Sequence, residues 1–225
     1  MLKESGNVVD AAVAAMIALC VVVPGSVGLG GYGGSAVIYL ARQRRIVAID
    51  FDSRAPLVFR EGLVTIDPQS CHYGPRSVTV PAVVAGLDLI LREFGTKSWR
   101  EASQPAIRLA GEGSEANQKH RRYLNRCSPQ FDRQSLANLF PAGSLPEIGS
   151  RWRQPDQARL LRRLANDGPG AFYDGDIAKA IVCFLRDRGG ILTEEDFRSY
   201  SARIVDPVKI SCRGFDLYTP PPPSG

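Results

Sequence analysis

The sequence predicts an α+β fold in which helices flank a mixed or antiparallel sheet, and three observations support this. Two strand-like runs, residues 35–41 and 45–51, are joined by a short charged turn, which is typical of an antiparallel hairpin. A second pair of strand-like runs, residues 208–212 and 215–218, flanks an Arg-Gly turn in the same way. Apolar patterns of helical period lie between the two hairpins, as expected for helices that cover a sheet.

The first predicted helix covers residues 8–19 and is Ala-rich and apolar on nearly every face. Ser5 or Asn7 can cap its start, and Pro24 ends it. A helix with apolar residues all round has to be covered all round, so we expect it inside a larger body.

The later elements follow from start and stop signals. Residues 82–94 show helical spacing before Gly95, and Ser98 with Glu101 forms a capping box that opens the next helix. The β-branched run 77–80 predicts a short strand. Further helices are predicted near residues 117–125, at 155–166 and 177–188, and after the threonine cap Thr193.

Composition indicates a folded globular chain rather than a disordered one. It has 225 residues, of which 44% are hydrophobic and 23% charged. The net charge of +5 comes mainly from arginines spread over several predicted helices without interleaved aromatic residues. We interpret these as solvated helix faces and expect no nucleic-acid partner.

Cysteine and histidine usage argues against a metal or disulfide framework. The five cysteines are widely spaced without a CxxC pair, and His72 and His120 lack metal-ligand spacing. We therefore expect neither a metal site nor a cofactor, and we expect Cys20 and Cys183 to be buried. The apolar run 11–23 is shorter than the roughly 20 residues of a membrane span, so no span is expected.

A glycine motif at residues 28–33 fits the dinucleotide pattern G-x-G-x-x-G, with Asp50 about 20 residues further on. The phosphate-binding mechanism needs a strand before the glycines and a helix after them. Here a predicted helix comes before the loop, and a predicted strand comes after it. We favour a loop in which backbone passes close to backbone or substrate over a nucleotide oxidoreductase.

Four stretches in sequence order resemble the large subunit of the γ-glutamyltranspeptidase family, a group of N-terminal nucleophile hydrolases. The first, Ser5-Gly6-Asn7-Val8-Val9-Asp10-Ala11-Ala12-Val13-Ala14-Ala15, is similar to the family's GGNAVDAAVAA. The others are the glycine loop leading to Arg54-Ala55-Pro56, residues 80–110 from Val80-Pro81 to Leu109-Ala110, and Gly168-Pro169-Gly170-Ala171-Phe172-Tyr173 leading to residues 189–197 and 213–225.

The resemblance implies a partial αββα sandwich and an enzyme that hydrolyses or transfers γ-glutamyl groups from glutathione and related amides. In the family the nucleophile is a threonine at the start of a small subunit, activated by its own α-amine. We expect residues 1–225 to form a single incomplete domain that needs a complementing small-subunit chain. Missing neighbours would leave a sheet edge and apolar faces exposed.

The chain departs from the family at two points. None of its threonines has the family's nucleophile context, so no catalytic residue is assigned and the chain alone is expected to be inactive. The family's substrate-binding arginine is replaced by Asp52, which would repel a carboxylate. Arg54 is the candidate substrate-binding residue, with a structural arginine at a strand end as the equal alternative.

Two other functions stay open. The chain could be a non-catalytic, degenerate remnant. Alternatively, the complete protein could act on other amides, as acylases and oxamate-type amidohydrolases do.

Overall fold

The computed structural model describes residues 1–23, 26–60, 74–127, 137, 140 and 146–223. It divides into two compact units, each built from two stretches of the chain. Unit 1 comprises residues 1–28 and 95–168, and unit 2 comprises residues 29–94 and 169–225. The expectation of one incomplete domain stays a prediction, and the two units are described separately.

Unit 1 is mainly helical. Its helices are α1 (Val8–Val22), α3 (Trp99–Glu112), α4 (Gln118–Cys127) and α5 (Pro155–Asp167), and its short strands β3 (Ser114–Glu115) and β4 (Arg151–Trp152) form an antiparallel pair. Both α1 and α5 pack against α3. A small apolar cluster is formed by Ala116, Leu124, Phe140 and Trp152.

The start of α1 is held by a buried carboxylate. Asn7 caps the helix, as one of the two sequence alternatives predicts, and its side chain accepts a hydrogen bond from the Asp10 backbone N–H at 2.9 Å. Asp10 is fully buried and accepts hydrogen bonds from the backbone N–H groups of Asn7, Thr96 and Lys97. This one side chain therefore joins α1 to the turn before α3.

Only one face of α1 is covered. Val13, Ile17 and Val21 are fully buried. A stripe on the other side, formed by Val8, Ala12, Ala15 and Leu19, is exposed. Among the described residues, packing on α3 covers one face of the helix, and the expectation that a larger body covers the other face stays a prediction.

Unit 2 contains the remaining strands and α-helices of the described residues. Its strands are β1 (Gly33–Leu40), β2 (Arg45–Asp52), β5 (Arg203–Val205), β6 (Val208–Cys212) and β7 (Phe215–Thr219), and its helices are α2 (Val83–Phe94), α6 (Asp176–Arg186) and α7 (Glu194–Arg198). Strands β1, β2 and β5 form an antiparallel sheet in that order, and β6 and β7 form a separate hairpin. Both hairpins predicted from the sequence are confirmed.

Two glycines let α2 and its preceding turn approach the sheet. A Cβ on Gly33, which has φ +100°, would lie 1.8 Å from the carbonyl oxygen of Phe51. A Cβ on Gly86 in α2 would lie 2.1 Å from the Phe51 ring. Only glycine fits at both places, so Phe51 lies directly against the helix backbone.

Some local predictions need correction. Residues 77–79 are not in a strand, and only Val80 pairs, in an isolated bridge with Arg54. A β-branched run forms a strand only where a neighbouring strand offers a ladder, and this bridge is one residue long. Cys20 is buried as expected, whereas Cys183 is half-buried.

Candidate functional site

Strand β2 ends with two carboxylates, Asp50 and Asp52, and both oxygens of Asp50 accept hydrogen bonds. Asp50 accepts a hydrogen bond at 2.6 Å from Arg203, its partner across the sheet, and another at 3.1 Å from the Asp52 backbone N–H. The glycine loop leads into β1 rather than into a helix, as predicted. Asp50 therefore binds a residue of the neighbouring strand. The glycine loop does not lead into the helix N-terminus that a dinucleotide site needs.

Arg54 lies two residues beyond β2, and its backbone is fixed by the bridge to Val80. The Arg54 carbonyl accepts a 2.9 Å hydrogen bond from the Val80 N–H. Its guanidinium donates to the Ser199 carbonyl oxygen at 3.3 Å, and Cζ lies 5.7 Å from the centroid of the Tyr200 ring. Arg54 is exposed, and no carboxylate of the described residues forms a salt bridge with it. Its remaining N–H groups can therefore bind an anionic ligand.

Tyr200 joins Arg54 to the end of β2. Its hydroxyl donates a 2.9 Å hydrogen bond to the Asp52 carbonyl oxygen. Burial raises the pKa of Tyr200, and the charges of Asp50 and Asp52 raise it further, while Arg54 and Arg203 partly oppose this. Tyr200 therefore stays protonated at neutral pH. It lies within electrostatic reach of both Arg54 and Asp52.

A second tyrosine packs behind the first. The rings of Tyr173 and Tyr200 stack with centroids 5.8 Å apart. The Tyr173 hydroxyl donates to the Pro81 carbonyl oxygen at 2.9 Å and accepts from the Ala85 N–H at 3.0 Å. Burial raises the pKa of Tyr173. Tyr173 thus holds the start of α2 and fixes the Tyr200 ring on which Arg54 lies.

A cavity of about 260 Å³ is lined in part by these two tyrosines. Tyr173 and Tyr200 form one wall, and Asp88 and Arg92 of α2 supply charge. A guanidinium nitrogen of Arg92 lies 3.5 Å from a carboxylate oxygen of Asp88. Burial raises the pKa of Asp88, an effect that the charge of Arg92 partly opposes. The cavity therefore contains one neutralised ion pair beside an aromatic wall.

Asp196 braces the segment that follows Arg54. Thr193 caps α7 as predicted, and Asp196 accepts hydrogen bonds at 2.7 Å from both the backbone N–H and the hydroxyl of Thr193. Its other oxygen accepts from the backbone N–H of Leu57 at 2.5 Å. Because Asp196 is buried, this contact fixes the chain immediately after Ala55-Pro56.

The described threonines do not form a nucleophile site. The hydroxyls of Thr193 and Thr96 donate to the carboxylates of Asp196 and Asp10, which makes both threonines structural. Thr219 ends a strand, Thr79 lies in a connecting segment, and Thr65 falls outside the described residues. The assignment of no catalytic residue in this chain stays a prediction.

The sequence points to Arg54 and Asp52, whose roles stay predictions, and it does not predict the contacts of Tyr173 and Tyr200. These tyrosines lie 88 or more residues along the chain from the groups they bind. The only sequence signal was that Tyr173 falls within a family-like stretch and Tyr200 closely follows another.

Two features are absent from the part of the chain that the structure describes. No group of three or more His, Cys, Asp or Glu side chains there could hold a metal ion. No helix there is long and apolar enough to cross a bilayer.

The chain is similar to several characterised proteins over its whole length. It is 34% identical to glutathione hydrolase 2 of Arabidopsis thaliana and 34% identical to the glutathione hydrolase proenzyme of Pseudomonas sp. strain A14, with 100% of this chain covered in both. It is 33% identical to the acylase ACY 1 proenzyme of Pseudomonas sp. strain V22, again over 100% of this chain. The chain spans 39%, 40% and 42% of the lengths of these relatives.

The structure agrees with these similarities. The chain superposes on the Helicobacter pylori gamma-glutamyltranspeptidase with a TM-score of 0.94 and 34% identity, covering 99% of this chain and 66% of that one. The predicted α+β fold of the N-terminal nucleophile hydrolase type is thereby confirmed. A sequence model of gamma-glutamyltranspeptidase matches residues 1–225. The chain therefore belongs to the gamma-glutamyltranspeptidase family.

Proposed function

We propose that this chain is part of an enzyme that hydrolyses or transfers γ-glutamyl groups of glutathione and related amides. Membership of the family over residues 1–225 is the observation that carries the proposal. The chain spans about two-fifths of the length of its relatives, so the activity is proposed for the complete assembly. A small-subunit chain would supply the threonine nucleophile and the free amine that activates it.

Arg54 is the proposed substrate-binding residue. A γ-glutamyl group carries an α-carboxylate, and a guanidinium binds a carboxylate with charge-assisted hydrogen bonds. The contacts of Arg54 with the Ser199 carbonyl and the Tyr200 ring leave part of the guanidinium exposed. Those contacts would hold the side chain in place, which combines the structural and the binding interpretations.

A chimaeric proenzyme tests this function. In it, this chain replaces the matching segment of the Pseudomonas sp. strain A14 glutathione hydrolase proenzyme, which it matches over 100% of its own length. We expect the chimaera to hydrolyse γ-glutamyl-p-nitroanilide and the isolated chain to be inert. A folded chimaera without activity on γ-glutamyl or simple acyl anilides would refute the catalytic proposal and favour a degenerate remnant.

A second candidate is an acylase for amides that carry no α-carboxylate. The observation that favours it is Asp52, a negative charge that acts on the same tyrosine, Tyr200, as the charge of Arg54. A relative that is 33% identical to this chain is named as an acylase proenzyme, which is consistent with this candidate. A chimaera that cleaves butyryl-p-nitroanilide, which lacks this carboxylate, faster than γ-glutamyl-p-nitroanilide would support this candidate, whereas the reverse preference would exclude it.

A further inference from the structure

The cavity of about 260 Å³ beside the two tyrosines is lined by residues of unit 2 alone. One face of α2 runs along it, because residues 85, 88, 89 and 92 are spaced at helical turns. Residues 169–173 and 200–202 supply the rest of the lining that the structure describes. We call this space the α2 cavity. It shares Tyr200 with the surroundings of Arg54, but Arg54 does not line it.

The two tyrosines offer the α2 cavity ring surface rather than hydrogen bonds. The Tyr173 hydroxyl donates to the Pro81 carbonyl oxygen at 2.9 Å, and the Tyr200 hydroxyl donates to the Asp52 carbonyl oxygen at 2.9 Å. Leu89 adds apolar surface to the same lining. Such a lining suits an apolar body, and aromatic rings also attract organic cations.

Asp88 supplies the negative charge of the α2 cavity. Its side chain is only 33% exposed. Burial raises its pKa, and the charge of Arg92 opposes this effect only in part. Asp88 lies in the middle of α2, beyond the first turn, so the helix dipole does not compensate its charge. A partly buried carboxylate in this situation is stabilised by a further cationic partner.

Arg92 is a shared partner of Asp88, although their ion pair is neutral as a whole. Its Nη1 lies 3.5 Å from Asp88 Oδ2, whereas its Nε lies 3.2 Å from a carboxylate oxygen of Glu93. The Arg92 side chain is 62% exposed, so it can stay with Glu93 and water when Asp88 takes another partner. A bound ammonium group can therefore replace Arg92 at Asp88 without leaving a buried charge unpaired.

We propose that the α2 cavity binds a small organic cation, with its ammonium group on Asp88 and its apolar body against Tyr173 and Tyr200. This site goes beyond the proposed γ-glutamyl function and does not depend on it. The cavity is smaller than the roughly 300–1,000 Å³ of pockets for drug-sized ligands, which favours a body of one ring or a short chain. An anion would have to enter beside Asp88 and compete with Glu93 for Arg92, so the charges favour a cation.

NMR titration of the 225-residue chain with three probes of similar shape tests the proposal. Phenethylamine is a cation at neutral pH, 2-phenylethanol is uncharged, and 3-phenylpropanoate is an anion. We expect phenethylamine to bind at least about tenfold more tightly than the other two, because it alone can pair a positive charge with Asp88.

Two substitutions in the cavity should shift the affinity for phenethylamine in opposite directions. Asp88→Asn removes the negative charge and should weaken phenethylamine binding at least about tenfold, with 2-phenylethanol staying within about twofold. Arg92→Gln removes the competing cation and should strengthen phenethylamine binding about two- to fivefold. Asp174→Asn is the matched control, since Asp174 is an exposed carboxylate of unit 2 that does not line the cavity. Arg92 and Asp174 are exposed, so circular dichroism should show both of these variants folded even if Asp88→Asn is destabilised.

The outcomes separate this site from the catalytic proposal. Equal affinities for the three probes, a preference for 3-phenylpropanoate, or no binding of phenethylamine would overturn the cation site. Weaker phenethylamine binding by Arg92→Gln would also overturn it, as would an equal loss in Asp174→Asn and Asp88→Asn, which would indicate general attraction to carboxylates. Selective binding of phenethylamine together with an inert chimaera would support the cation site while refuting the catalytic function.

Discussion

Replacing Asp10 with asparagine should show how much a single buried carboxylate contributes to the stability of unit 1. Asp10 is fully buried, and its two oxygens are distinct in their partners. Oδ1 accepts from the backbone N–H groups of Thr96 and Lys97 at 2.8 and 2.9 Å. Oδ2 accepts from the Asn7 N–H at 2.6 Å and from the Thr96 hydroxyl at 2.7 Å.

The size of the destabilisation follows from which of these hydrogen bonds an asparagine side chain can keep. Its carbonyl oxygen can replace Oδ1, but its amide nitrogen then faces the Asn7 N–H, donor against donor. The Thr96 hydroxyl can rotate to accept, so one buried N–H loses its partner, which costs about 1–3 kcal/mol. The other bonds lose their charge assistance, which brings the total to about 2–4 kcal/mol. For a chain of this size we expect the melting temperature to fall by about 5–15 °C.

Glu101→Gln is the matched control. Glu101 forms the same kind of capping box with Ser98 at the start of α3, but both side chains are exposed. Water can replace the lost interaction there, so the melting temperature should hardly change. Thermal unfolding of the 225-residue chain followed by circular dichroism measures both variants. Equal shifts for the two variants would refute the reasoning from burial.

The same prediction has a pH signature. Burial raises the pKa of Asp10, but hydrogen bonds from Thr96, Lys97 and Asn7 outweigh it and hold the pKa below its ordinary value of 3.8. A carboxylate whose pKa is lower in the folded than in the unfolded chain contributes stability that is fully present above the unfolded pKa. That stability is lost as pH falls through the folded value. The stability gap between wild type and Asp10→Asn should therefore shrink below about pH 4, and a constant gap down to pH 2 would contradict the assignment.

Two further predictions concern packing and thiol chemistry. Gly86→Ala drives a methyl group into the Phe51 ring, 2.1 Å from its nearest atom, and should destabilise the chain by about 1–3 kcal/mol. Gly28→Ala, with nothing within 4 Å, should leave the melting temperature unchanged, and equal effects of the two substitutions would show that the clash relaxes freely. Burial raises the pKa of the Cys20 thiol to about 12. Iodoacetamide at pH 8 should therefore spare Cys20 and modify the exposed Cys212 in the native chain. Equal rates of alkylation at the two thiols would contradict the burial of Cys20.

The elements that the sequence predicted well are those set by local interactions. The caps at Asn7, Ser98 and Thr193 each use a partner three residues away, and each is present in the structure. The hairpins are similarly local, since alternation and a short turn fix their register. Short sequence separation is what makes such features predictable from one sequence.

What the sequence did not predict depends on distant partners. Tyr200 binds the carbonyl of Asp52, which lies 148 residues earlier, and no local pattern indicates that contact. The run ending at Val80 looked like a strand, yet only one residue pairs because Arg54 offers a single bridge. Whether an element is paired or covered depends on the rest of the fold, which periodicity does not describe.

The candidate site contains residues that the sequence indicates and contacts that depend on distant partners. Arg54 and Asp52 were singled out from the sequence because a family arginine is replaced at Asp52. The structure adds what holds Arg54, namely the Ser199 carbonyl and the Tyr200 ring, with Tyr173 stacked behind Tyr200. The role of Arg54 in binding stays a prediction, and its aromatic support could not be predicted because Tyr173 and Tyr200 are distant in sequence.

The most direct test of the account is a substrate comparison in the chimaeric proenzyme. The two substrates are γ-glutamyl-p-nitroanilide and its α-carboxamide, which differ only in the charge that Arg54 is proposed to bind. We expect Arg54→Ala to lower kcat/KM for the carboxylate substrate by about 10- to 100-fold and to leave the carboxamide nearly unchanged. Arg45→Ala, at the opposite end of β2, should affect neither substrate. Equal losses on both substrates would show that Arg54 is structural, and no loss on either would remove it from the site.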